Sequence, residues 1–260
     1  MNYTGARMQS PVPDLSVVIP AHNESGNILS LLDEVEAALG GRVPYEVLVV
    51  DDGSSDGMDR LLAEAAAKRP ALRPLRHRRQ SGQSAAIATG GRAARAPWIA
   101  TLDGDGQNDP ADIPALWQRL QTGAGEGGAG EGLGMIAGHR ANRRDTWVRR
   151  ASSRIANRVR ARLLSDATPD TGCGLKLFSR QLFLDMPHFD HMHRYLPALA
   201  LRQGAKVVSV VVNHRPRGQG RSHYGINNRL WVGIVDLCGV MWLNRRIRLP
   251  GGADPLGGEK

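Results

Sequence analysis

The stretch TLDGDGQNDP, residues 101–110, sets Asp103, Asp105 and Gln107 two positions apart, with Asp109 close behind. In an extended segment residues i and i+2 project to the same side, so the first two carboxylates converge. Two hard oxygen ligands at a strand end suit Mg²⁺ or Mn²⁺, which keep open positions for the oxygens of a phosphorylated substrate. Gln107 would add a neutral oxygen from the same side, and Gly104 leaves backbone room for a bulky ligand. Alone, such a pair is a weak signal, because Asp and Gly are ordinary turn residues. A second acidic cluster, VVDDGSSDG, strengthens it: Asp51 and Asp52 directly follow an apolar run. Carboxylates there can accept hydrogen bonds from a nucleobase N–H or from ribose hydroxyls. Ser54, Ser55 and Asp56 are placed to cap the helix that follows.

The elements that must position these residues alternate. LSVVIP (15–20), YEVLVV (45–50), part of ALRPLRHRR and WIATLD (98–103) read as strands. Between them, NILSLLDEVEAAL, MDRLLAEAAAKR and SAAIATGGRAARA repeat apolar residues at helical spacing, with Asn23 or Ser25 as candidate caps of the first. Strands that are apolar throughout, separated by helices, predict an α/β fold with a Rossmann-like, mostly parallel sheet covered by helices on both faces. Ligands in such sheets bind beyond the carboxyl ends of the strands, where both acidic clusters fall. The two belong to one site.

Farther along, residues 121–134 hold seven Gly and two Glu and read as a flexible surface insertion. GMIAGHR (134–140) reads as a strand. Nine Arg stand against one Asp between residues 140 and 162, with Trp147, Ala151, Ile155 and Val159 at helical spacing, the pattern of a basic amphipathic helix. LWVGIVDLCGVMWL (230–243), broken by Asp236, is too short to span a bilayer and is followed by Asn244, Arg245, Arg246 and Arg248. It fits an interfacial helix on an anionic membrane or a packing helix. Trp231 and Trp242 are its candidate anchors, whereas Trp98, Trp117 and Trp147 read as packing residues.

The chain has 260 residues and a net charge of +9, carried by 34 basic residues of which four are Lys. Arg is the better residue for forked binding of phosphate. Such an excess fits nucleic acid, anionic lipid or a phosphorylated substrate. No run of eighteen apolar residues is present, so no transmembrane helix is expected. The first residues lack a secretory signal pattern. Cys173 and Cys238, far apart, fit ordinary thiols in a reducing compartment. Most histidines, His22 and His77 among them, read as surface or packing residues; His139 and His214 stay undecided.

In order, VVIPAHNE, VVDDGSSDG, SGQSAAIATG, the DGDGQNDP turn, GLKLFSR and RGQGRSHYG resemble the family 2 glycosyltransferases of GT-A fold over about residues 14–230. Within these the pattern is most similar to the dolichyl-phosphate mannosyltransferases and their bacterial polyprenyl-phosphate relatives. The resemblance implies nucleotide contacts at Pro20, Glu24, Asp51, Asp52 and Gln83. It implies a Mg²⁺ or Mn²⁺ and diphosphate motif at Asp103, Asp105 and Gln107. Arg217 would reach the donor phosphates, and Arg140, Arg149 and Ser153 would hold the lipid phosphate; Asp103, Asp105 and Arg217 are the catalytic candidates. Two departures stand out: Gly104 and Gly106 flank Asp105 where relatives carry a small apolar residue and Leu, and the two transmembrane helices of many bacterial relatives have no counterpart here.

The implied reaction is inverting transfer of a sugar from a nucleotide-diphospho sugar, GDP-mannose or UDP-hexose in type, to a polyprenyl or dolichyl phosphate in cell-envelope glycan synthesis. The implied partners are donor, lipid and an anionic membrane surface, with a membrane protein supplying anchorage and no nucleic acid. The implied location is cytoplasmic, peripheral on the inner face of the membrane. The expected layout is a lead over 1–13, a GT-A domain over 14–228, an amphipathic helix over 229–249 and a tail over 250–260. A non-lipid acceptor is the alternative within the fold. A basic lipid- or nucleic-acid-binding protein without catalysis is the alternative from another class, but it would leave two acidic strand ends unexplained. A dehydrogenase lacks its GxGxxG after the first strand.

Overall fold

The computed structural model describes residues 12–123, 133–141, 160–216 and 227–248. The predicted alternation is present: β1 (Leu15–Ala21), α1 (Ile28–Leu39), β2 (Tyr45–Asp51), α2 (Met58–Lys68), β3 (Leu72–Arg76), α3 (Gln83–Ala93), β4 (Trp98–Thr101) and α4 (Ile113–Gly123). A 3₁₀ turn over Pro110–Asp112 leads into α4. Then come β5 (Leu133–His139), β6 (Lys176–Ser179), α5 (Arg180–Asp185), α6 (Leu196–Arg202), β7 (Lys206–Val211) and α7 (Asn227–Arg246).

Seven strands form one sheet in the order β3-β2-β1-β4-β6-β5-β7. All run parallel except β6, which is antiparallel to both β4 and β5. That reversal carries the segment before β6 to the carboxyl end of β4, beside the acidic turn.

The continuous apolar runs of β1 and β2 are buried on both faces, as parallel strands must be. Leu15, Val17 and Ile19 pack with α1, α2 and α4, while Val18 and Leu48 point the other way against α3, α5 and α6. At the amino ends of the strands Glu46, almost fully buried, accepts from Ser16 Oγ at 2.8 Å, Arg95 N at 2.6 Å and Arg73 Nη1 at 2.5 Å. Burial pushes its carboxyl upward, but these donors outweigh it and hold it below the usual range.

Local details differ from the sequence expectation. Asn27, not Asn23 or Ser25, stands at the start of α1, and its side chain makes no capping bond. Asn23 instead takes a left-handed conformation, and its Oδ1 accepts from Ser55 N, tying the first loop to the second. Before α2, Asp56 does the capping through Met58 N, while Ser54 Oγ accepts from Asn23 N.

Helix α3 lies tight on the sheet. A Cβ on Gly90 would stand 2.4 Å from Val18 Cγ1 and 3.2 Å from its Cγ2. Alanine normally gains about 1 kcal/mol over glycine inside a helix, but overpacking a stiff, buried valine costs about 1–3 kcal/mol. Gly90→Ala should therefore lower stability by about 1 kcal/mol in denaturant melts. Gly239→Ala, at an exposed site on α7 where a Cβ meets nothing within 4 Å, should raise it by a similar amount.

Candidate active site

Beyond β4 the chain stays in the sheet for one more residue: Leu102 is fully buried and donates its N–H to Val18 O at 3.1 Å. Asp103 follows at the carboxyl edge. Its N–H donates to the buried Asn108 Oδ1 at 3.1 Å, which closes the turn onto itself. Asp105 Oδ1 accepts from Gln107 N at 3.1 Å. Asp109 serves structure: it caps the 3₁₀ turn through Ala111 N and lies 2.6 Å from the Arg215 guanidinium. Gly104 is small for the sake of the protein's own backbone, since a Cβ there would sit 3.0 Å from Ala21 Cβ and 3.1 Å from Pro20 O.

A cleft of about 240 Å³ opens at this edge, and Pro20, Glu24, Asp52, Gln83, Asp103 and Asp105 all line it. These six predicted residues come from the ends of β1, β2 and β4 and the start of α3. Asp51, Gln107 and Arg140 are not in its walls. Arg149, Ser153 and Arg217 lie outside the described residues.

Among the groups that line the cleft, Asp103 is strongly perturbed. Burial and the neighbouring Asp105 push its carboxyl up to about 6, against the opposing pull of Lys176, Arg140 and the Gln83 amide. Gln83 Nε2 donates to Asp103 Oδ1 at 2.8 Å. The other oxygen faces the loop before β6, where Gly174 is indispensable: a Cβ there would lie 2.2 Å from Asp103 Oδ2. Behind it Lys176, 3% exposed, donates to the Cys173 carbonyl, and burial holds its ammonium below the usual pKa. Two facing carboxylates, one reluctant to ionise, are a donor set that a hard divalent cation would relieve. Among the described residues no trio of His, Cys, Asp and Glu converges, so such an ion would take its remaining positions from water or substrate oxygens.

Asp52 holds its own wall together. Its carboxylate accepts from Ser81 N at 2.8 Å, Gly82 N at 2.7 Å and His77 Nδ1 at 2.7 Å, and His77 Nε2 in turn meets Thr89 Oγ1 at 2.9 Å. Asp51 turns away from the cleft, accepting from Ser54 N at 2.8 Å with Arg76 Nε 3.4 Å from its other oxygen. Arg140 is gripped by Asp170, which takes Nε at 2.7 Å and Nη2 at 2.9 Å.

Sequence reading missed several contributors. His22 lines the cleft and bonds the Asp52 carbonyl at 2.8 Å; its place two residues beyond Pro20, at a strand end, was the available signal. Gly174 and Asp170 act across long sequence separations, and only the antiparallel β6 reveals them, whereas Asn108 closes the acidic turn from five positions away. His139 ends β5 and accepts through its carbonyl from Val212 N, while His214 pairs with Asn108, so the segment leading to Pro216 is laced to the acidic turn.

Residues 16–186 match the profile of Glycosyl transferase family 2. The chain is 33% identical over 246 residues to dodecaprenyl-phosphate galacturonate synthase of Rhizobium johnstonii, covering 92% of this chain and 69% of that protein. Among solved structures it is similar to glucosyl-3-phosphoglycerate synthase of Mycobacterium tuberculosis, crystallised with Mn²⁺, UDP and phosphoglyceric acid. There the TM-score is 0.64 at 19% identity, with 92% of this chain and 81% of that one covered. A mannosyltransferase of Pyrobaculum calidifontis, in complex with GDP-Man and Mn²⁺, gives a TM-score of 0.56 at 20% identity over 77% of this chain and 56% of that one. With its ordered motifs, its sheet topology and these likenesses taken together, the chain belongs to glycosyltransferase family 2.

Proposed function

We propose that this glycosyltransferase moves a sugar from a nucleotide-diphospho sugar to a polyprenyl phosphate, with inversion, and depends on a divalent cation. The observation that carries the reading is the meeting of Asp103 and Asp105 with Pro20, Glu24, Asp52 and Gln83 around one cleft. Pro20, Glu24 and Asp52 would receive the nucleoside, with Asp51 stiffening the turn that presents Asp52. Asp103 and Asp105 would hold Mg²⁺ or Mn²⁺, with Gln107 fixing Asp105 through its backbone N–H. When bound, the cation supplies charge neutralisation of the leaving diphosphate.

The chemistry asks little of a base. A phosphate oxygen of the acceptor, already anionic near neutral pH, forms the new bond to the anomeric carbon as the sugar–diphosphate bond breaks and the nucleoside diphosphate departs. Arg217 would offset charge on the donor phosphates, while Arg140, Arg149 and Ser153 would align the nucleophile, making positioning the main contribution. The Asp170 carboxylate occupies one edge of the Arg140 guanidinium and fixes the direction of the other. The relative's name, a synthase of a dodecaprenyl-phosphate sugar, supports the lipid acceptor. A lipid acceptor in turn favours a peripheral position on the inner face of the membrane, on an anionic surface and with a membrane protein as anchoring partner.

Purified protein supplied with Mn²⁺, polyprenyl phosphate and a panel of nucleotide sugars should yield a lipid-linked monosaccharide by mass spectrometry. Asp105→Ala should cut turnover at least about 100-fold, the scale of losing a transition-state charge contact. Undiminished turnover in that variant, or full turnover in a chelator, would refute the metal assignment.

The raised carboxyl of Asp103 fixes a pH dependence. Its ionised form binds the cation, so calorimetric Mn²⁺ affinity should be flat above about pH 7. It should fall about tenfold per unit as the pH drops below about 6, where the proton competes.

Gly174→Ala is the geometric test. The added methyl must displace Asp103 and crowd the buried Asn108, so Mn²⁺ affinity should fall at least tenfold, with circular dichroism checking that the variant is folded. Unchanged affinity would show that Asp103 is not a ligand.

A further inference from the structure

Helix α7 is apolar on two faces, and the described residues cover one of them. Val240 is fully buried, and Leu237 and Met241 pack beside it against the cluster formed by α3, α5 and α6. Polar contacts fix the rotation of the helix. Tyr195 Oη donates to Gly233 O at 3.3 Å, Arg202 Nε donates to Leu243 O at 3.1 Å, and His191 Nδ1 lies 3.1 Å from the Asp236 carboxylate.

The second face carries Trp231, Ile234, Val235, Cys238 and Trp242, at positions i, i+3, i+4, i+7 and i+11, which form one stripe. Trp231 is 70% exposed, Val235 68%, Trp242 59% and Ile234 42%. Because the opposite face is pinned, the helix cannot roll to hide them. At the carboxyl end of the stripe Arg245, Arg246 and Arg248 are exposed, and the Arg246 guanidinium stands 5.9 Å from the Trp242 ring centre.

We propose that this stripe is a docking surface for an anionic lipid bilayer, with α7 lying flat in the headgroup region. Two indole rings, aliphatic side chains between them and a cluster of arginines form the combination that interfacial helices use. Among the described residues no helix is long and apolar enough to cross a membrane. The charge decides the occupant. Each Arg near an anionic surface strengthens partitioning about fivefold, whereas a second copy of a chain with net charge +9 would be repelled. The inference deepens the reading that the acceptor is a membrane lipid, but docking is measured without any turnover.

The full chain should co-sediment with vesicles of phosphatidylcholine and phosphatidylglycerol, and much less with phosphatidylcholine alone, with tryptophan emission moving to the blue on binding. The double variant Trp231→Gln/Val235→Gln, which changes only exposed side chains, should partition at least tenfold less. Arg245→Gln/Arg246→Gln should lose about 25-fold on anionic vesicles and little on neutral ones. Equal partitioning of the Trp231/Val235 variant would overturn the proposal. So would a stable dimer in solution that the same variant dissociates, because the stripe would then belong to a second copy. If vesicles bind the chain through the stripe while no polyprenyl phosphate is ever glycosylated, the docking surface stands and the acceptor assignment falls.

Discussion

Two carboxylates held at the end of one strand repel each other, and much of this protein's local architecture serves to keep them there. Asp103 is pinned from three sides: its N–H by Asn108, one oxygen by Gln83, the other by the side-chain-free surface of Gly174. Asp105 is fixed by the backbone of Gln107. Positive groups that could cancel the repulsion, Lys176 and Arg140, are near but committed to the Cys173 carbonyl and to Asp170. Lys176 and Arg140 therefore offset the repulsion only in part, and the Asp103 carboxyl stays well above the usual range.

The sheet makes that confinement affordable. Parallel strands β1, β2 and β4 end at one edge, so residues from three separate sequence regions meet without any loop having to travel. The single reversed strand, β6, does what a parallel strand could not: it delivers the loop containing Cys173 and Gly174 to that same edge. The Asp52–His77–Thr89 chain extends the order outward to α3, so the two walls of the cleft share a common support.

The sheet core and the cleft residues Asp52, Asp103 and Asp105 were legible from local pattern: apolar runs of strand length, helical spacing between them, and acidic residues where each run stops. Pro20, Glu24 and Gln83 came only through the family resemblance. The pairing of Gly174 with Asp103 was not legible, because it joins residues 71 positions apart and needs the direction of β6. Asp51 and Asp52 are adjacent in sequence yet face different surroundings, as neighbours at a strand end do. Histidines 22 and 77 lacked any spacing signal, and their importance comes from contacts with the Asp52 carbonyl and carboxylate. Asn23 and Ser54 are spent on joining the two loops, which leaves α1 without a side-chain cap and Asp56 to cap α2.

Glu46 lies at the opposite end of the strands from Asp103, and the two respond to acid in opposite senses. Protonating Asp103 near pH 6 relieves a repulsion and leaves the frame untouched. Glu46, whose donors hold it below the usual range, contributes stability above the ordinary carboxyl pKa and surrenders it only as the pH falls through its own lower one. On the proposed metal assignment, mild acid weakens cation binding at Asp103 before it removes the stability that Glu46 contributes. The fold thus sets its acid-sensitive ligand candidate and its acid-resistant structural carboxylate at opposite ends of the same strands.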